Sequence, residues 1–120
     1  AMSELSDRAK RVYLIHEHIV QMRGNVQHVS SLEGIKNFVE MFNATTDECR
    51  ELLSVDPTIL ESIGFLRPIT SETRPSEYPT AIIDGKRGQF MVNSSILLSA
   101  LKSFVKLHML PEDSEKLAFK

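Results

Sequence analysis

The sequence has no tryptophan, one cysteine, and no apolar run approaching the roughly 20 residues that cross a bilayer. A lone cysteine, Cys49, excludes an internal disulfide and suits a reducing compartment. The N-terminus lacks the apolar core of a secretory signal peptide, so the expected location is intracellular, cytoplasmic or nuclear. Ala1 ahead of Met2 reads as a cloning remnant, which makes Met2 the expected natural start of the N-terminal piece of a longer protein. A strong excess of one charge is also missing. The formal net charge is −2, which argues against a dedicated nucleic-acid binder, whose affinity rests on a basic surface.

Catalytic signatures are equally scarce. No Ser/His/Asp order, paired acids in a glycine-rich context or cofactor fingerprint is visible, so an enzyme is not expected and no cofactor is implied. The four histidines do not make a metal site by spacing. His16 and His18 are two apart in a predicted helix and point away from each other, while His28 and His108 have no Cys or acidic ligand beside them at metal spacing. Cys49 belongs to an apolar set with Leu52 and Leu53 and reads as a small buried hydrophobe.

What the chain does have is periodicity, at a length that fits one domain. Residues 1–5 read as a flexible N-terminus, 6–110 as the domain and 111–120 as a polar tail. Val12, Ile15, Ile19 and Met22 recur at helical spacing and Gly24 supplies a stop, giving a first helix over 6–23. Val26–Val29 is a short extended piece. Ser30 and Glu33 form a capping box ahead of Leu32, Ile35, Phe38, Val39 and Phe42, giving a second helix to Asn43. Thr45-Thr46-Asp47-Glu48 repeats the capping signature and opens a third helix through Cys49, Leu52 and Leu53. Asp56-Pro57 caps a further short piece that Gly64 ends. Leu66–Ile69 is extended, and 70–79 is a solvated loop.

The stretch AIIDGKRGQFMVN, from Ala81 to Asn93, then reads as two short strands joined by a basic, glycine-bracketed tip. Gly85-x-x-Gly88 is too short for a phosphate-binding P-loop. Asn93-Ser94-Ser95 caps a last helix over 95–110, closed by Pro111. The expected class is therefore α+β and mostly helical: a winged-helix-like domain of three to four helices, a small β-hairpin wing and a C-terminal helix. An all-helical bundle with an appended hairpin is the competitor.

The segment YPTAIIDGKRGQFMVN resembles the closing wing of LOTUS-type and Egalitarian-type winged helices, through Tyr78, Pro79, Ile83, Asp84, Gly85, Phe90, Val92 and Asn93. The resemblance implies protein partners of the helicase or RNA-regulatory kind.

The last helix carries ten apolar residues in fifteen from Ile96 to Leu110, more than one buried stripe of a small domain uses. Leu97, Leu101, Phe104 and His108 define one stripe, widened by Leu98, Val105 and Met109, while Ile96, Ser103, Leu107 and Leu110 lie to another side. The helix therefore either runs through the centre of the fold or packs inward on one face and against another chain on the other. The expected function is a non-catalytic interaction module that binds another protein or a second copy of itself. Leu97, Leu101, Phe104, Val105, His108 and Met109 are its expected contacts, with Tyr13 from the first helix. The alternative is direct DNA or RNA binding through Arg50 with the basic wing, Lys86 and Arg87, joined by Arg67 and Arg74.

Overall fold

A computed structural model describes residues 2–73 and 78–113. The order is α1 (Met2–Asn25), a 3-10 turn (Val26–His28), α2 (Leu32–Leu53), α3 (Pro57–Ser62) and α4 (Pro79–His108). Among the described residues there is no β-strand. The expected α+β winged helix is thus corrected to an all-helical domain, and the expected wing is the first half of α4.

The cause lies in a longer period than the one that suggests the hairpin. Ile83, Phe90, Ser94, Leu97, Leu101 and Phe104 are all buried and fall at alternating three- and four-residue steps once Arg87 is included. That is the seam of a helix running through the glycine tip without a break. Phe90 sits between Phe38 and Phe42 of α2, edge-on to both, at ring-centre distances of 4.9 and 4.7 Å. Aromatic pairs favour this geometry because ring edges are positive and ring faces negative. Gly85 and Gly88 lie on the outer side of α4, where a Cβ would meet no atom within 4 Å. They weaken the helix locally and leave its packing untouched.

Other boundaries shift for similar reasons. α1 begins at Met2, so residues 2–5 belong to a helix rather than to a flexible terminus. The cap of α2 is Ser31, not Ser30: its hydroxyl accepts the Gly34 N–H at 2.9 Å. A Cβ on Gly34 would stand 2.9 Å from that oxygen, so the cap requires glycine there. α2 does not stop at Asn43. Thr45 and Thr46 turn their hydroxyls back to the carbonyls of Met41 and Phe42, each at 3.0 Å, as helix-interior residues do. The expected second and third helices are one. Asp56 does cap α3, accepting from the Ile59 N–H at 3.2 Å, with Pro57 in the first turn.

Buried residues of α1 (Val12, Ile19, Met22), α2 (Ile35, Val39, Phe42, Leu52) and α4 form one core. The long helices lie side by side, α4 chiefly against α1 and then α2, with α3 on its flank. The Cα envelope spans 54 × 26 × 16 Å, thin enough for about two helix layers at their usual 8–10 Å spacing. A helix in so thin a slab keeps one face at the surface.

Candidate docking surface

Residues 66–70 form a strap that lies beside α4 without being helix or strand, so its peptide groups need partners from side chains. Arg50 donates to the Leu66 carbonyl at 2.7 Å, and Asn93 to that of Arg67 at 3.3 Å. Asn43 accepts from the Ile69 N–H at 3.2 Å and donates to its carbonyl at 2.8 Å, and Lys86 donates to the Thr70 carbonyl. Leu66 and Ile69 turn into the core, which leaves Phe65 outside at 64% exposure.

Between this strap and α4 runs an open groove of about 490 Å³, lined on the helix by Gly88, Gln89, Val92, Asn93 and Ile96. A second groove of about 410 Å³ continues from Ile96 along Ser99, Ala100 and Ser103, with Thr58, Ile59 and Ser62 of α3 as its other wall. The two share Ile96 and form one trough. From Gly88 to Ser103 it extends about 22 Å at a rise of 1.5 Å per residue. Among the described residues Arg67 is the single charged one that lines it. Val92 within the trough is 61% exposed, and Leu107, one turn beyond Ser103, is 68% exposed.

The residues singled out from sequence fall on the opposite face. Leu97, Leu101, Phe104, Val105 and Met109 are buried in the core. Tyr13 packs half-buried against that core, and its phenol is held above the ordinary range, first by a hydrogen bond with Glu17. His108 is half-buried: Nε2 lies 2.7 Å from Asp56 Oδ2, and the ring is tilted against Phe104 at 4.4 Å. That contact, then the Ile59 N–H, holds the Asp56 carboxyl below its usual range. The trough is lined instead by the side of the helix that carries Ile96 and Ser103. The signal that finds it is the width of the apolar arc on α4, and the signal that separates its halves is the seam through Ile83 and Phe90, which the hairpin reading hides.

The basic residues of the nucleic-acid alternative are engaged within the fold. Arg87 donates to the carbonyls of Val26 (3.1 Å) and Val29 (2.7 Å) and pairs with Asp84 at 2.7 Å. Arg50 and Lys86 hold the strap, as described. Arg67 is exposed, and Arg74 lies outside the described residues. The likeness to a closing wing rests on residues that here belong to α4 or directly precede it.

Among the described residues no three His, Cys, Asp or Glu side chains gather as a metal site. Cys49 is fully buried, and that burial pushes its thiol pKa up to about 12, far from the reactive range. By length and mean hydropathy α4 matches a bilayer span, yet its inner face is the core of this fold. Comparison with family models, curated proteins and solved structures finds no match for this chain.

Proposed function

We propose that this domain is a non-catalytic docking module that receives an apolar helix of another protein chain in the trough along α4. The observation that carries the reading is the trough itself: two confluent grooves about four helical turns long, with one charged lining residue among those described and with Val92 and Phe65 largely exposed. An apolar helix laid in such a groove buries its own stripe and covers these side chains, the common helix-in-groove mode of recognition. Gly88, Ser99, Ala100 and Ser103 keep the floor low, so a second backbone can approach closely. The strap is fixed by side chains from α2 and α4 before any partner arrives, which lowers the ordering cost of binding.

Selection from a displayed library of amphipathic helical peptides tests this. Enriched peptides should shift the amide resonances of Val92, Ile96 and Ser99 and lose at least tenfold in affinity to Val92→Asp. Peptides that map to another face, or that bind Val92→Asp as well as the parent, would refute it.

A further inference from the structure

We infer that the occupant of the trough is the α4 of a second copy of this chain, running antiparallel and crossing its twin at Ile96. The inference rests on the docking reading above and names the partner. Its basis is the match between the outer face of α4 and its own reversed image.

A twofold axis at Ile96 places Leu107 of one copy over Gly85 of the other, and Val92 over Ala100 beside Ser99. The two exposed large apolar side chains of the described part of this face, Val92 and Leu107, thus each meet a position with a hydrogen atom, methyl or hydroxymethyl for a side chain. Gln89 falls over Ser103, and Ile96 meets Ile96. No layer sets two large residues against each other except at the axis, where the two grooves of one copy join. A Cβ on Gly85 meets no atom of the described residues within 4 Å, so the space above it is open to the incoming Leu107.

Charge supports the same direction. Lys106 and Asp84 are both exposed and lie along one flank of the trough face rather than in the trough, Asp84 beside Arg87 at 2.7 Å. In the antiparallel arrangement Lys106 of one copy comes beside Asp84 of the other, at both ends of the contact. A parallel pair would set Lys106 against Lys106, Leu107 against Leu107, and Gly85 against Gly85 across a void. Like charges face to face and unfilled space both disfavour it. A foreign helix would place no demand on how Leu107 and Gly85 are spaced about Ile96, whereas self-association does.

Two measurements test the inference with the chain as it is. Sedimentation equilibrium should give twice the 13.6 kDa of the chain. Oxidative crosslinking should then report the direction, since buried Cys49 leaves an introduced thiol as the accessible one. Gly85→Cys and Leu107→Cys sit at open, exposed positions, and far-UV circular dichroism confirms that both variants fold. Mixed and oxidised, they should yield the crosslinked heterodimer, while each alone stays uncrosslinked. A 13.6 kDa species at every concentration overturns the inference, as does self-crosslinking of either variant alone. A monomer that still binds selected peptides at Val92 and Ile96 removes the second copy and leaves the docking reading standing. A monomer that binds none removes both.

Discussion

Replacing Gly85 and Gly88 by alanine tests the fold where sequence and structure part company. Both glycines sit in the interior of α4 on its outer side, neither has a left-handed backbone, and a Cβ at either would meet no neighbour within 4 Å. Packing within the protomer is therefore unchanged by the substitution, and for the monomer what remains is intrinsic helix propensity. Alanine is better than glycine by about 0.8–1 kcal/mol at such a position. The double variant should gain about 1.5–2 kcal/mol, which in a domain of this size raises the melting temperature by roughly 6–8 °C. Urea and thermal unfolding followed by far-UV circular dichroism would read this, at concentrations where the transition does not depend on protein concentration. In a hairpin tip the same glycines would occupy the left-handed region, where a side chain costs about 1–2 kcal/mol per residue. The two structures predict opposite signs. Loss of stability in either single variant would refute the continuous helix.

Phe90→Ala should cost about 3–5 kcal/mol by urea denaturation, because it removes a fully buried ring with two edge-on aromatic neighbours; a loss under about 1 kcal/mol would place the ring outside the core. Arg87→Met keeps the apolar stem but strands the carbonyls of Val26 and Val29, and should cost about 2 kcal/mol, whereas Lys86→Met, at an exposed contact, should cost under about 0.5 kcal/mol. Equal and negligible effects in the two variants would return both residues to the surface. Asp56 gives a pH signature. Its folded-state carboxyl is held below its usual value of 3.8 by His108 and the Ile59 N–H, so the unfolded chain takes up the proton first as acid is added. The stabilisation is fully present above that value and is lost as pH falls through the lower folded one. The stability gap between the parent and Asp56→Asn should therefore be flat above pH about 5 and close below pH about 4, in unfolding series at stepped pH. A gap unchanged down to strong acid would show that the carboxylate charge contributes nothing.

Much of the fold was legible where a single period acted alone. The stripe of Val12, Ile15, Ile19 and Met22 made α1 readable, and Asp56-Pro57 made the start of α3 readable, because cap and period agree there. The errors arose where local and long-range signals conflict. Thr45-Thr46-Asp47-Glu48 has the chemistry of a cap, yet the apolar period passes through it from Phe42 to Cys49, and burial of that face outweighs a local cap. Asp84 to Gly88 has the chemistry of a turn, yet Ile83 and Phe90 are seven apart and lie on one buried line. A hairpin would expose Phe90, forfeiting several kcal/mol of burial, to relieve about 2 kcal/mol of glycine propensity. The excess apolar arc of the last helix was visible from sequence. Which half of it faces inward was not, since that depends on the register set from Ile83 onward.

That register is held by the polar members of the inner seam rather than by its apolar ones. Three positions interrupt the line of Ile83, Phe90, Leu97, Leu101 and Phe104, and each is matched to a different element. Arg87 reaches the carbonyls that join α1 to α2. Ser94 receives Arg23 of α1 at 2.6 Å, and His108 meets the Asp56 cap of α3. Sliding α4 by one turn, about 5.4 Å, would exchange apolar neighbours for other apolar neighbours at modest cost. It would also leave three sets of polar groups without partners in or near the core, at about 1–3 kcal/mol each. The apolar residues supply most of the stability, and the polar ones choose among alignments that burial alone would leave close in energy. Fixing the seam fixes the opposite face as well. Val92 and Ile96 are held at set heights beside the strap and α3, with Leu107 one turn beyond the trough, which is the fixed spacing that the proposed antiparallel pairing requires.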